Sequence, residues 1–272
     1  LDVLMVFTAN PEDYTARGKI VTPLKDRLGS EIRTHYPTTL EQGVSITREE
    51  AWTERHEESK VFVPYYLREV VEEVAIQART DRRVDQRSGV SQRLPITLLE
   101  NVVSNAERRA ILHREKQIVP RVSDVYASLH AITGKLELDY EGELKGAEVV
   151  ARDLVRNAVG QTFRKYLGGE DLNQIIEWFE MGGYLKLPDT TPAKEALASL
   201  KKIQGLSENV SLLGVTKKDP PAVVVAAAEF VLEGLAGMKK ISRSEERRFS
   251  RTERQHPEIG MEPMDTAKRH LN

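Results

Sequence analysis

Three residues have types and settings that could do chemistry. Asn10 closes the apolar run Leu1-Asp2-Val3-Leu4-Met5-Val6-Phe7-Thr8-Ala9, which reads as a β-strand. An amide at the carboxyl end of a central strand stands where open α/β sheets bind ligands. It can hold a water or a phosphate oxygen through its donor or its acceptor side. Ahead of Pro11, the same Asn10 can equally serve as a turn residue. Arg27 follows Thr22-Pro23, the cap-and-proline opening of one short helical turn. A rigid mount of that kind suits an arginine that neutralises charge in phosphoryl transfer from across a subunit interface, although an isolated arginine is ordinarily a solvated surface charge. Arg93 lies just before Pro95, at the entry to a long helical pattern. Its side chain is placed near a positive helix end that favours anions, with pairing to a nearby acid such as Glu100 as the plain alternative.

The order and spacing of the three add information. Phe7-Thr8-Ala9-Asn10-Pro11, then Leu24-Lys25-Asp26-Arg27-Leu28-Gly29, then Val90-Ser91-Gln92-Arg93 ahead of a long helix resemble the AAA+ ATPases. Within that group the pattern is similar to the magnesium chelatase ATPase subunit and its MoxR-like relatives, over residues 1–135. The resemblance implies that Asn10 is sensor 1 and Arg27 the arginine finger, both catalytic. It implies that Arg93 is sensor 2, a contact to bound nucleotide. ATP with Mg²⁺, a homo-oligomeric and hexameric ring, and a partner protein remodelled by that ring follow from the same resemblance. The sequence departs from the family at two points. It contains no Gly-x-x-x-x-Gly-Lys-Ser/Thr, since Gly214-Val215-Thr216-Lys217-Lys218 does not fit that pattern, and no apolar strand ending in Asp-Glu to hold Mg²⁺. Both elements precede sensor 1 in the family. Residues upstream of Leu1 are therefore expected, and the chain as given is not expected to hydrolyse ATP alone.

The elements that must position these residues are mostly helical. A short strand over 30–34 is expected after the Arg27 turn. Thr47 with Glu50 reads as a capping box opening a helix to Glu57. Pro64 to Ala78 carries the stripe Leu67, Val70, Val71, Val74 and Ala78, and Pro95 to His113 carries Ile96, Leu99, Val103, Ala106 and Ala110. Arg121 to Leu129 begins a further helix, with Ser123 as its cap. The polar stretch 136–143 reads as a boundary. Beyond it, Ala147 to Tyr166 forms a long amphipathic face stopped by Gly168-Gly169, followed by Leu172 to Phe179, Pro192 to Ile203 and Pro221 to Leu235. The expected architecture is mostly α. Residues 1–37 form the C-terminal end of an α/β AAA+ core with its last strands, 38–135 a helical lid, 136–238 a helical accessory region and 239–272 a charged tail. Glu57-Glu58, Glu72-Glu73 and Arg82-Arg83 read as solvated helix faces.

Composition bounds the remaining choices. The chain has 272 residues, 40 Lys and Arg against 42 Asp and Glu, and 6% aromatics, so it is no polycation and no aromatic-rich sandwich. The absence of cysteine excludes disulfide frameworks, thiol nucleophiles and Cys-ligated metals. No two of its histidines stand at i, i+3 or i, i+4, and no Gly-x-Ser-x-Gly elbow appears, so neither a helical zinc site nor that hydrolase chemistry is expected. The apolar run Ala222 to Leu235 is interrupted by Glu229 and Glu233 and is short of a membrane span. A cytoplasmic location without membrane contact is expected. The net-basic run Lys239 to His256 has only Phe249 as an aromatic, which speaks for a solvated terminus against a nucleic-acid-binding one. Two further readings stand beside the motor ATPase. One is a fragment of an AAA+ transcription activator, although the turn at Gly168-Gly169 is not followed by the basic helix that a major groove needs. The other is a non-enzymatic helical scaffold.

Overall fold

The apolar stripes at helical spacing become four long helices that share one core. The computed structural model of the chain describes residues 3–8, 26–54, 60–244 and 248–252, and among these the architecture is mostly α. Helix α1 (Leu40–Glu50) leads through strand β1 (Lys60–Val61) into α2 (Tyr65–Thr80) and α3 (Arg93–His113). Strand β2 (Gln117–Ile118) and the short helices α4 (Val122–Ala127), α5 (Leu129–Thr133) and α6 (Tyr140–Lys145) precede α7 (Ala147–Leu167). After α7 come α8 (Asn173–Glu180), β3 (Leu185–Lys186), α9 (Ala193–Leu200), α10 (Leu206–Ser211), α11 (Pro221–Gly237), β4 (Ile241–Arg243) and β5 (Arg248–Arg251). Strands β1 and β2 pair in parallel, Lys60 with Gln117 and Val61 with Ile118. The other sheet is antiparallel in the order β3-β5-β4.

Prolines set two of the helix starts, because a missing N–H removes no helical hydrogen bond in the first turn. Pro64 directly precedes α2, and Pro221 is the first residue of α11. The middle of the molecule is α7, which packs on α2 and on α11. Tyr66 of α2 stacks on Phe230 of α11 with ring centroids 4.5 Å apart, while Phe163 and Tyr166 of α7 approach the same ring at 6.1 and 6.3 Å. Each fully buried ring or leucine here contributes on the order of 2 kcal/mol. A Cβ on Gly234 would overlap the Phe163 ring, so a side chain at 234 would push α11 away from α7. The core is continuous from Leu67, Leu98 and Ile132 to Leu154, Phe179 and Phe230, and residues on both sides of position 135 share it.

Several local expectations are corrected. Val3 to Thr8 is exposed and makes no strand pairing among the described residues, and the same holds for 30–34. A strand needs a neighbour for its ladder, and no described segment lies beside either run. Helix α1 runs from Leu40 to Glu50 rather than from Thr47 to Glu57. The operative cap lies upstream: Thr39 Oγ1 accepts the Gln42 N–H at 3.2 Å, while Gln42 Oε1 accepts the Thr38 N–H at 3.0 Å. Thr47 thus sits in the last turn with its hydroxyl free to face α2. Similarly, α4 is capped by Arg121, not Ser123. Within the run read as a charged tail, Ile241 and Phe249 alternate with polar neighbours and are buried, so 241–243 and 248–251 form strands.

Candidate functional site

The three residues singled out by the sequence have different fates. Asn10 lies outside the described residues. Arg27 stands in a turn at Asp26–Arg27 and is exposed; its guanidinium makes no hydrogen bond or ion pair among the described residues. Arg93 is the first residue of α3, is exposed, and likewise has a guanidinium without a partner among the described residues. Glu100, one candidate partner, accepts the Trp52 N–H at 3.0 Å. No described contact brings Arg27 and Arg93 together.

What distinguishes Arg93 is its mount. The segment ahead of it, Val90-Ser91-Gln92, is gripped from three sides. The Val90 N–H donates to Tyr36 Oη at 3.0 Å, and the Val90 carbonyl accepts from Arg79 Nε at 3.2 Å. Arg79 also donates through Nη2 to Gln92 Oε1 at 2.8 Å and lies over the Tyr36 ring at 4.2 Å, a cation–π contact. The other end of the Gln92 amide donates to Glu72 Oε1 and Oε2 at 3.0 and 2.9 Å and approaches Thr47 Oγ1 at 3.3 Å. Thr47 Oγ1 itself donates to Glu72 Oε2 at 3.0 Å. The segment before α1, together with α2, therefore holds Val90, and α1 and α2 hold Gln92, the residue next to Arg93.

The helix end behaves differently from the expectation. The Arg93 N–H donates to Ser91 Oγ at 3.2 Å, the Leu94 N–H donates to the Ser91 carbonyl at 3.0 Å, and Pro95 has no N–H. The first-turn donors that commonly cradle an anion are thus spent or absent. Any anion held here would be held by the Arg93 fork, assisted only by the field of a 21-residue helix.

Sequence reasoning missed Tyr36, Thr47, Glu72, Arg79 and Gln92. Glu72 and Glu73, read as a solvated face, are buried, as is Glu69 beside them. Burial raises the Glu72 carboxyl above its ordinary range, partly offset by the hydrogen bonds from Gln92 and Thr47 and by the charge of Arg79. Glu73 is also raised, first by burial and then by the neighbouring Glu72 and Glu69, with the hydrogen bond from Gln77 working against it. Arg83 is not a free surface charge either. It holds Asp81 and Asp153, each at 2.7 Å, and its pKa lies above the ordinary arginine value chiefly through the hydrogen bond to Asp81.

A second buried charge cluster lies at the other end of α3. Asp124 accepts Arg109 Nη1 and Nη2 at 2.6 and 3.0 Å, Asn105 Nδ2 at 2.6 Å and the Arg121 N–H at 2.7 Å. Glu229 of α11 accepts the Ser123 N–H at 2.6 Å, and Glu233 accepts Arg243 Nε at 2.7 Å. Burial works against the Arg109 charge, but Asp124 outweighs it, with Glu229 and Glu115 adding to the effect, and the guanidinium pKa is raised. Here Arg109 is neutralised by Asp124 and Arg243 by Glu233 inside the fold, while Arg121, whose Nη1 donates to the Thr191 carbonyl at 3.0 Å, keeps Nε and Nη2 buried without a hydrogen-bond partner among the described residues. No group of three His, Asp or Glu able to hold a metal occurs among the described residues. Cavities of about 590 Å³, between Leu200, Ile203, Leu206 and Val224, and about 490 Å³, between Gly168, Leu172, Leu235 and Met238, are lined by neither Arg27 nor Arg93. No described helix is long and apolar enough to cross a membrane.

Comparison with protein-family models, with curated proteins and with solved structures finds no match. Function therefore has to be argued from the α3 entrance and the sequence pattern around it.

Proposed function

We propose that the chain is the sensor and lid part of a ring-forming AAA+ ATPase similar to the magnesium chelatase motor subunit. In this reading it couples ATP binding and hydrolysis to remodelling of a partner protein or to metal insertion. The observation that carries the reading is an exposed Arg93 guanidinium without a partner among the described residues, following a residue that three other side chains, Thr47, Glu72 and Arg79, lock in place. A surface arginine needs no such mount, whereas one that must meet a terminal phosphate at a fixed angle does, because a guanidinium fork binds phosphate oxygens through two directed N–H bonds. Arg27 is exposed and unpaired in the same way, as an arginine acting on a neighbour's nucleotide must be. Asn10 keeps its expected role as sensor 1 in this reading. The described residues offer no ligand set for Mg²⁺. Its ligands, like the phosphate cradle, are assigned to the two family elements that this sequence lacks.

In the assembled ring, Arg27→Ala should lower ATP hydrolysis by about 10³ while nucleotide binding survives, the magnitude expected of an arginine finger. Mixing such subunits with subunits whose phosphate loop is disabled should restore part of the activity at mixed interfaces. Loss of nucleotide binding in the single variant, with no rescue on mixing, would overturn the assignment.

A further inference from the structure

Glu72 is in an expensive place. It is 1% exposed, and the hydrogen bonds to its carboxylate come from two neutral groups, the Thr47 hydroxyl and the Gln92 amide. Arg79, the nearby cation, donates to Gln92 and to the Val90 carbonyl instead. A glutamine at 72 could accept the same hydroxyl and avoid the cost of burying a charge. What a glutamine could not do is dictate the orientation of Gln92. A carboxylate only accepts and a guanidinium only donates, so the Gln92 amide, caught between Glu72 and Arg79, has one way round. Two facing amides have several.

The same carboxylate also touches α1. A Cβ on Gly43 would overlap the Glu72 carboxyl group, so the α1 backbone rests directly on it. Thr47, one turn further along α1, holds the same group from the side. A shift of α1 over α2 must therefore displace Glu72, then Gln92, then the first turn of α3.

We infer that Glu72 is a positioning residue through which the seating of α1 on α2 sets where the first turn of α3 anchors the Arg93 side chain. Arg93 is its output, so the inference rests on the reading of Arg93 as a phosphate-binding arginine. Its geometric half stands on the hydrogen bonds alone, and the two halves can be tested separately.

The test uses the chain with Glu72→Gln, Gln92→Met, the double variant and Arg93→Ala. The first readout is amide hydrogen exchange over residues 89–94. The second is titration with inorganic tripolyphosphate, followed by ¹⁵N NMR of arginine side chains. Glu72→Gln should leave the melting temperature unlowered yet speed exchange across 89–94 by about tenfold, roughly the effect of one lost hydrogen bond to a charged group. Gln92→Met should do the same, and the double variant should add nothing further, because both changes cut one chain of contacts. Tripolyphosphate affinity should fall in all four proteins, furthest in Arg93→Ala. Unchanged exchange in both single variants, or strictly additive effects, would overturn the positioning role. Should Glu72→Gln fail to fold, exchange in Gln92→Met alone decides it. Faster exchange with a tripolyphosphate affinity that Arg93→Ala does not alter would instead remove the phosphate reading and leave the coupling in place.

Discussion

The two ends of α3 are built from the same kinds of residue and do opposite things. At its C-terminal end, Arg109 is turned inward onto Asp124, whose carboxylate takes four hydrogen bonds without solvent exposure. At its N-terminal end, Glu72, Arg79 and Gln92 form a network of similar density, but the chain of contacts stops at an arginine that faces outward with no described partner. Closure is what separates them. A closed cluster spends its charges on the fold, while an open-ended one spends its order on where a single exposed group is anchored. The two ends should therefore respond to mutation in different observables.

The largest effect should come from the closed end. Asp124→Ala leaves the Arg109 guanidinium with only the Val119 and Asp189 carbonyls as described acceptors, at 3.0 and 3.2 Å, and takes the acceptor from the Arg121 N–H. Removing one member of a buried ion pair typically costs about 3–5 kcal/mol, a large share of the roughly 5–15 kcal/mol that a domain has. Urea unfolding should show that loss as a lowered midpoint with unchanged slope. A cost near 0.5 kcal/mol would mean that Arg109 finds another acceptor and that the cluster is not closed in the sense argued.

Next in size is a pH effect at the open end. Burial raises the Glu72 carboxyl above its ordinary value of 4.5, so the folded chain holds that proton to higher pH than the unfolded chain does. Between the two values the folded state binds more protons, and stability from this group falls as pH rises through the folded pKa. Its contribution is greatest at and below pH 4.5 and is lost above that raised value. Glu72→Gln deletes the titration. Unfolding free energies measured across pH 4.5 to 7 should show the wild-type curve descending relative to the variant, with the variant no less stable at pH 7. Parallel curves would mean that burial does not raise the Glu72 carboxyl, and the pH sensitivity expected of the open end would go.

The long helices were legible in the sequence because each announces itself twice, by an apolar stripe and by a proline or glycine at its end. Pro95 to His113 was expected where Arg93–His113 is found, and Pro221 to Leu235 where Pro221–Gly237 is found. Local motifs misled where a competing one lay nearby. Thr47-Glu50 has the letters of a capping box, but Thr39-Gln42 eight residues earlier has them too and actually starts α1. Short strands were illegible for another reason: whether Ile241 to Arg243 pairs and Val3 to Thr8 does not depends on neighbours distant in sequence. Arg93 could be picked out by spacing. Its mount could not, because Tyr36, Thr47, Glu72 and Arg79 meet only when α1, α2 and α3 pack together. A doubled glutamate inside the stripe Val70, Val71, Val74 was the one trace, since α2 has neighbours on several sides and little room for a solvated face.

The smallest effect on stability should come from the residue with the greatest proposed consequence. Arg93 is exposed, its guanidinium touches no described acceptor, and its backbone N–H bonds to Ser91 whatever the side chain is. Arg93→Ala should therefore move the unfolding free energy by no more than about 0.5 kcal/mol, the usual range for a surface substitution away from special features. Arg93→Lys should be equally silent in unfolding. The two variants should part company only where a phosphate is present: lysine keeps the charge and loses the two-pronged fork, so under the proposed function the preference for ATP over ADP should fall partway with lysine and further with alanine. Because the group is exposed, that preference should also weaken as salt is raised, which a buried pair such as Arg109–Asp124 would resist. A stability loss of 1 kcal/mol or more in Arg93→Ala would show that the guanidinium has a partner on which the fold depends. The N-terminal end of α3 would then be a second closed cluster, and the contrast between the two ends would fail.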